Sequence, residues 1–231
     1  MRFLPLWLAI VCVSASVDAR AADARTTAPA YALKSLKEFR DENLIRQRYD
    51  YSCGAAAMAT LLRYGLDRQV GEREIVEDLF HGLSAEEAAV REKEGFSLLD
   101  LQQVAERRGF RAQGFKLEPE HLSLLQGPVI VFLETLGYRH YAVLKGVRGD
   151  RVYLADPSRG NIRMPAYRFL QAWLRDGAGV IFVVEPAEAG FTWASRLAPP
   201  GRGPIQPEVL AARELLAIGG PYRRTVMSVG R

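Results

Sequence analysis

The sequence predicts an α+β fold in which helices come first and antiparallel strands follow. Between residues 53 and 109, apolar residues recur at helical spacing and the segments end at glycines. From residue 110 to 185, short runs rich in β-branched and aromatic residues are separated by turn residues. Helices and strands that are segregated along the chain are typical of α+β domains, here helices packed on an antiparallel sheet. The 231 residues suffice for one well-cored domain with additional terminal segments.

Residues 1–21 have the pattern of a secretory signal peptide. Arg2 precedes an apolar run from Phe3 to about Ser16, and small residues follow. The run is shorter than the roughly 20 apolar residues that span a bilayer, so an uncleaved membrane anchor is the less favoured alternative. We therefore expect a periplasmic or secreted protein with no integral membrane span after signal removal. Residues 22–45 are predicted to form a linker or arm, with a short helix as the alternative.

Four helices are predicted before residue 110. The first runs from Cys53 to Tyr64, contains four alanines that allow close packing, and ends at a glycine. The segment GEREIVEDLF has helical apolar spacing, and SAEEAAVREKEG opens with a capping box of Ser84 and Glu87. The fourth helix, in SLLDLQQVAERRG, has Ser97 as its expected N-cap.

The second half of the chain is predicted to supply the sheet. A tight turn at residues 148–150 joins two of its strands into a hairpin. These elements complete a predicted domain over residues 46–185. Residues 186–231 are rich in Pro, Gly and Arg and are predicted to form a tail with an amphipathic helix in PEVLAARELLAIGG. The expected strands are FRAQGFKL, GPVIVFLE, RHYAVLKGV, DRVYLADP and GVIFVVE, with helices in PEHLSLL and AYRFLQAWLRD.

Composition excludes several classes of function. The formal net charge of +4 is modest, and no basic stripe interleaved with aromatic residues is present, so no nucleic-acid partner is expected. The sequence contains no Walker motif and no dinucleotide-binding glycine fingerprint. One thiol after signal removal and scattered histidines do not make a good zinc site, so no metal or other cofactor is expected.

Cys53 is the first candidate for chemistry. Because Cys12 lies in the predicted signal peptide, signal removal would leave Cys53 as a single thiol in an oxidising compartment, where an unprotected thiol is readily oxidised. At the start of a helix, the dipole and the free N–H groups favour the thiolate. Gly54 beside it would let a substrate backbone approach. The alternative is an inert cysteine that packs as a small apolar residue.

A nucleophilic thiol needs a base and a group that orients the base. His140 begins a predicted strand, whereas His81 and His121 fall in segments expected to be exposed. Because residues 140 and 156 are equidistant from a turn near residue 148, Asp156 is expected almost opposite His140 across the hairpin. A strand-end histidine and a turn-forming Asp-Pro are the alternatives. Gln47 is a candidate oxyanion donor upstream of the thiol, or else a surface glutamine.

These residues resemble those of the bacteriocin-processing cysteine peptidases, peptidase family C-39, which have a papain-like fold. The resemblance rests on Gln47, Cys53-Gly54, GFSLLDLQQVAERRGF, GPVIVFLE, HYAVLKGVRGDRVYLADPSRG and FLQAWLRDGAGVIFVV. It implies that Cys53 is the nucleophile, His140 the base, Asp156 the orienting residue and Gln47 part of the oxyanion hole. The signal peptide and the motif YDYSCG are similar to the stand-alone secreted or periplasmic branch, which includes a member associated with functional-amyloid secretion.

Family members fused to export transporters cut after a double-glycine leader and commonly carry an acidic residue directly before the cysteine, where this chain has Ser52. The resemblance implies a cysteine endopeptidase that cleaves an exported polypeptide, after small or glycine residues, with an export apparatus as a candidate partner. A non-catalytic peptide-binding or secretion-chaperone module is the alternative. Acyl transfer or cyclisation would use the same residues as hydrolysis.

Overall fold

The computed structural model of the protein describes residues 34–135, 137–188 and 196–198. The helices are α1 (Leu36–Asp41), α2 (Cys53–Thr60), α3 (Glu72–Phe80), α4 (Ala85–Glu94), α5 (Leu98–Arg107) and α6 (Ala166–Trp173). The strands are β1 (Phe110–Leu117), β2 (Val129–Thr135), β3 (Tyr138–Arg148), β4 (Arg151–Asp156), β5 (Gly160–Pro165), β6 (Leu174–Arg175) and β7 (Ala178–Pro186). A π-helical turn, Leu61–Gly65, follows α2, and a 3-10 helix, Pro119–Leu124, precedes β2.

Two of the predicted helix starts are confirmed by their capping boxes. At α4, Ser84 Oγ accepts from the Glu87 N–H at 3.2 Å, and Glu87 Oε2 accepts from the Ser84 N–H at 2.8 Å. At α5, Ser97 Oγ accepts from the Asp100 N–H at 3.2 Å, and Asp100 Oδ2 accepts from the Ser97 N–H at 2.7 Å. Each cap satisfies N–H groups that have no partner within the helix and contributes about 1 kcal/mol.

Helix α2 is the central helix of the domain. Every residue from Cys53 to Thr60 is buried, which is the pattern of a helix surrounded by protein on all sides. Its alanines allow α3, α5 and β3 to pack closely around it. The prediction of an α-helix is confirmed as far as Thr60, after which the chain widens into the π-helical turn. Thr60 Oγ1 also accepts from the Ile45 N–H at 3.0 Å, which fixes the segment before Gln47 against α2.

The strands form one antiparallel sheet with the order β1-β7-β2-β3-β4-β5, and the two-residue β6 pairs with β7. Helices α2, α3 and α5 pack with one core cluster, and α6 packs with a second. Trp173 of α6 anchors the second cluster and donates from Nε1 to the Val180 carbonyl at 2.9 Å. A Cβ atom on Gly179 would lie 2.0 Å from the Trp173 ring, so only glycine fits there.

The β3–β4 hairpin differs in register from the prediction. Arg148 pairs with Arg151, so the turn consists of two residues and is centred beyond residue 148. A β-bulge at Lys145 then shifts the register by one. Asp156 consequently lies two positions along the strand from the point opposite His140. Such a diagonal neighbour is still within reach of a long side chain.

Strand β5 was not predicted. Residues 160–165 alternate little in hydrophobicity, because β5 is an edge strand whose side chains are mostly half-buried. Its first residue, Gly160, has φ +94° and lies against Arg40 of α1 so closely that a Cβ atom would be 2.3 Å from the Arg40 side chain. Part of the predicted linker is therefore helical and packs on the edge of the sheet.

Residues 196–198 pack against the helical side of the domain. Leu197 is completely buried in the first core cluster. Arg196 forms an ion pair with Asp67 at 2.6 Å, and its carbonyl accepts from Asn43 Nδ2 at 3.3 Å. The predicted signal peptide and the predicted tail helix lie outside the described residues, and the predicted domain boundaries stay a prediction. Over the described ranges, no helix has the length and apolar character needed to cross a membrane.

Candidate active site

Cys53 is the first residue of α2, so it lies at the positive end of the helix dipole, as predicted. The N–H groups in the first turn of a helix have no intrahelical acceptors and are available to an anion. The Cys53 side chain is 7% exposed and lines a groove on the protein surface. The thiol is therefore neither a freely exposed side chain nor one that is sealed in the core.

Gly54 has a different role from the one expected. A Cβ atom at this position would lie 3.2 Å from Tyr141 Cδ2 and 3.3 Å from Leu101 Cδ1. The missing side chain thus lets α2 approach β3 and α5 rather than giving room to a substrate. The error arose because the sequence does not show which way the residue after the cysteine faces.

The His140 and Asp156 side chains meet in a buried hydrogen bond. Nε2 of His140 lies 2.9 Å from Oδ1 of Asp156, and both residues are at most 7% exposed. The same carboxylate oxygen accepts from the Ser158 N–H and hydroxyl, each at 2.9 Å, and from the Arg159 N–H at 3.0 Å. Asp156 therefore organises the Asp-Pro turn and holds the imidazole at the same time, which unites the two alternatives that the sequence left open.

The surroundings of the pair stabilise both charged forms. Burial alone would lower the pKa of His140, but hydrogen bonds and charge interactions with Asp156 and Cys53 outweigh it and raise the pKa to about 9. Burial would raise the pKa of Asp156, but His140, Ser158 and Arg159 together hold it below its ordinary value. An imidazolium–carboxylate pair is therefore the resting state at neutral pH.

The second ring nitrogen of His140 is available for chemistry. Nε2 is engaged by Asp156, and the ring is also close enough to Cys53 for the sulfur to raise its pKa. Nδ1 is buried and has no conventional hydrogen-bond partner among the described residues. The arrangement fixes one imidazole nitrogen on the carboxylate and leaves the other without a hydrogen-bond partner among the described residues.

Gln47 is attached to the loop that carries Asp156. Its backbone N–H donates to the Pro157 carbonyl at 3.1 Å. Its side-chain Nε2 donates to the Tyr49 carbonyl at 3.0 Å, which leaves the second N–H of the amide for another acceptor. Oε1 is buried and has no hydrogen-bond partner within the described part of the chain. This backbone hydrogen bond thus joins the segment before Cys53 to the turn that follows Asp156.

The groove beside Cys53 has a volume of about 710 Å³ and lies between the helices and the β2–β3 hairpin. Gly95 and Gly137, both with positive φ, contribute to its lining. Charged residues from α4 and the hairpin, including Arg91 and Arg139, lie along it. His81 and His121 are exposed, as predicted, and do not line it. The aromatic residues of the groove are Tyr51, Phe96, Phe132, Tyr138 and Tyr141.

Glu72 was missed by the sequence reasoning. It is the first residue of α3 and only 4% exposed, and its Oε1 accepts from the Ser52 hydroxyl at 2.6 Å and from the Arg48 N–H at 2.7 Å. In the sequence, an acidic residue in the first turn of an amphipathic helix indicates a solvated charge that complements the dipole. No local signal distinguishes it from Glu74. Within the described ranges, no cluster of acidic, His or Cys side chains is arranged to hold a metal ion.

Comparison with known proteins identifies the family. Residues 41–189 match the family model described as "Peptidase C39 family". The chain belongs to the peptidase C39 family. It is therefore a cysteine peptidase by family, and the predicted α+β, papain-like fold is confirmed.

Two relatives and one solved structure illustrate the C39 resemblance. The chain is 38% identical over 152 residues to the "Probable functional amyloid protease FapD" of Pseudomonas fluorescens. The match covers 66% of this chain and 64% of the relative, so the chain spans slightly less than two thirds of that relative's length. It is 32% identical over 191 residues to the protein of that name from Pseudomonas aeruginosa, covering 83% and 78%. The structure of a double glycine motif protease from an AMS/PCAT transporter, in complex with the leader peptide, superimposes with a TM-score of 0.51 at 27% identity, covering 62% of this chain and 91% of that one.

Proposed function

We propose that the protein is a secreted or periplasmic endopeptidase that cleaves an exported polypeptide through Cys53, His140, Asp156 and Gln47. The observation that carries the proposal is the buried His140–Asp156 pair, whose imidazole interacts with a thiol at a helix N-terminus beside a groove. A thiol, an imidazole and an orienting carboxylate are the groups that nucleophilic thiol catalysis requires.

In the acylation step, the Cys53 thiolate attacks the carbonyl carbon of the scissile peptide bond. The carbonyl oxygen becomes an oxyanion, which accepts from the Cys53 N–H and from the free N–H of Gln47. The raised pKa of His140 supports its role, because an imidazolium holds the proton that the leaving amine needs. His140 donates this proton, the C–N bond breaks, and a thioester remains on Cys53.

In the deacylation step, neutral His140 takes a proton from water as the water oxygen attacks the thioester carbonyl. The C–S bond then breaks, the carboxylic acid product leaves, and the thiolate–imidazolium pair is restored. Asp156 keeps its charge throughout and stabilises the imidazolium at Nε2. No metal or other cofactor is needed for either step.

The groove and the relatives together support a polypeptide substrate. Aromatic rings and two glycines line the space next to the thiol, which favours small residues beside the scissile bond and apolar side chains farther along. Relatives named as functional amyloid proteases suggest that the substrate is an exported precursor or a component of a secretion system, with an export apparatus as partner. A structural relative bound to a leader peptide supports glycines before the cut.

The proposal is tested with an internally quenched peptide that carries Gly-Gly before the scissile bond. Cys53→Ala and His140→Ala should abolish cleavage while circular dichroism and the melting temperature show a folded protein. His121→Ala is the matched control, because His121 is exposed on the 3-10 helix and should leave the rate unchanged. Iodoacetamide should label Cys53 rapidly near neutral pH. Cleavage by the Cys53→Ala variant would show that the nucleophile is another group.

The same assay separates the alternative functions. A peptide-binding or secretion-chaperone module would bind the peptide with unchanged affinity in wild type and Cys53→Ala protein and would release no product. Acyl transfer would yield a product joined to an added amine or a cyclic peptide, and mass spectrometry distinguishes both from the hydrolysed acid.

A further inference from the structure

Glu72 is a buried carboxylate that none of the catalytic steps uses. Burying an acidic side chain costs free energy unless hydrogen bonds compensate it. Glu72 Oε1 has two such bonds, to Ser52 and to the Arg48 N–H, whereas Oε2 is buried with only the Arg48 guanidinium at 3.9 Å. The hydrogen bonds of Oε1 join the first turn of α3 to the loop before Cys53.

The Ser52 hydroxyl transmits the position of Glu72 to the loop before the nucleophile. A hydroxyl has one proton to donate. Its contact with the Glu72 carboxylate, at 2.6 Å, is shorter than its contact with the Tyr49 carbonyl, at 2.9 Å, so the Ser52 hydroxyl donates to Glu72. The Ser52 oxygen then accepts from the Tyr49 N–H at 3.2 Å. Ser52 is completely buried and makes no capping bond to α2, so its side chain serves this network.

The network ends at both oxyanion donors. The Tyr49 carbonyl accepts from Gln47 Nε2 at 3.0 Å and from the Ser52 N–H at 3.2 Å. The carbonyl of Ser52 accepts from the Ala56 N–H at 2.9 Å, which joins it to the first turn of α2. Tyr49 and Ser52 thus link the position of the Gln47 amide to the position of the Cys53 N–H. Glu72 holds the loop between them through its hydrogen bonds to Ser52 and to the Arg48 N–H.

We propose that Glu72 is a positioning residue that fixes the 48–52 loop and thereby sets the spacing of the two oxyanion donors, Gln47 and Cys53. This inference rests on the proposed function. Glu72 acts through hydrogen-bond geometry at Oε1. A glutamine has the same shape and retains one oxygen acceptor, so it should keep the loop in place, whereas alanine should release it.

The test compares Glu72→Ala, Glu72→Gln and Ser52→Ala with wild type in cleavage of the Gly-Gly peptide. For Glu72→Ala we expect kcat to fall roughly tenfold to a hundredfold with KM nearly unchanged, because misplacing an oxyanion donor costs less than removing one, about 10²–10³. Glu72→Gln should have most of the wild-type kcat. Ser52→Ala, like Glu72→Ala, should have a lowered kcat. Glu77→Ala, which removes an exposed ion pair with Arg73 on the same helix, should behave as wild type.

The assay temperature and the glutamine variant together distinguish positioning from simple stabilisation. Assays run well below the melting temperature of every variant should still show the loss of kcat in Glu72→Ala, which a merely structural role would not produce. A kcat of Glu72→Ala equal to that of wild type, or a glutamine variant as slow as the alanine variant, would overturn the inference while the proposed function stands. If wild type itself cleaves nothing, the proposed function fails. The position of the loop is then tested by the rate at which iodoacetamide alkylates Cys53 in wild type and in Glu72→Ala. An unchanged alkylation rate also overturns the inference.

Discussion

The substitution Asp156→Asn removes the charge that supports the imidazolium of His140 and keeps the shape of the side chain. Oδ1 of Asp156 accepts every hydrogen bond that the structure shows for this carboxylate, from His140, Ser158 and Arg159. An asparagine oxygen in the same place can accept them too. The geometry of the pair should therefore survive, and the change should appear in the pKa of His140.

The size of the effect follows from the pKa of His140, which lies at about 9 instead of the ordinary 6.5. Cys53 and a retained hydrogen bond also raise this pKa, so a full return to about 6.5 sets the upper limit of the effect. At that limit the imidazolium fraction at pH 8 falls from about 0.9 to about 0.03, a loss of at most roughly 30-fold in the competent enzyme. At pH 6 the same calculation gives a loss of only about 1.3-fold. The expected result is a loss of activity that grows with pH rather than a uniform one.

The assay is the pH dependence of kcat/KM for peptide cleavage between pH 5.5 and about 9.5, which reports the groups of the free enzyme. The alkaline limb should move to lower pH in Asp156→Asn, and KM should change little. An alkaline limb at the same pH in both proteins would refute the role of the Asp156 charge. Stability depends on the same ionisation. Because folding raises the pKa of His140, the stabilisation from the His140 charge is fully present below about pH 6.5 and is lost as the pH rises through about 9. Because folding lowers the pKa of Asp156, the stabilisation from its carboxylate is lost at acid pH.

Three further substitutions test how the site is held. Gly54→Ala should lower kcat by up to tenfold, because its Cβ would lie 3.2 Å from Tyr141 and push α2 aside. The melting temperature should change little, because alanine favours the helix by about 1 kcal/mol and offsets the strain. An unchanged kcat would contradict this. Gly179→Ala should destabilise the fold by more than about 2 kcal/mol in urea unfolding, because its Cβ would lie 2.0 Å from the Trp173 ring; wild-type stability would show that Trp173 can move without cost. Leu197→Ala should cost about 2–5 kcal/mol, because Leu197 is 0% exposed in the core, and a value below about 1 kcal/mol would mean that residues 196–198 contribute little to the fold.

Most elements of the fold were predictable because their signals are local. Capping boxes at Ser84 and Ser97 and the alternation in the central strands depend on neighbouring residues only. Strand β5 was not predictable, because it lies at the edge of the sheet and is defined by its pairing with β4 and by α1 rather than by its own pattern. The bulge at Lys145 was likewise invisible, since a single extra residue leaves no signature in composition.

The components of the site divide in the same way. Cys53, His140 and Asp156 were found because a thiol, an imidazole and a carboxylate each carry chemistry that a sequence displays. The proximity of His140 and Asp156 was predicted correctly, but from a register in which they lie almost opposite each other. The bulge and the displaced turn change that register, and the contact is a diagonal one. Glu72 was not found because its importance depends on burial and on a loop 20 residues earlier in the sequence.

The two halves of the molecule supply different parts of the proposed chemistry. The helical half holds Cys53 and Gln47, whereas the sheet half holds His140 and Asp156. Among the contacts that join them are the packing of α2 on β3 and the hydrogen bond from the Gln47 N–H to the Pro157 carbonyl. Because this hydrogen bond ties Gln47, the proposed oxyanion donor, to the turn that carries Asp156, a displacement of that turn would disturb the imidazole and the proposed donor together. The effects on kcat of substitutions at Gln47 and in the turn that carries Asp156 should therefore be non-additive, as expected of residues that act as one unit.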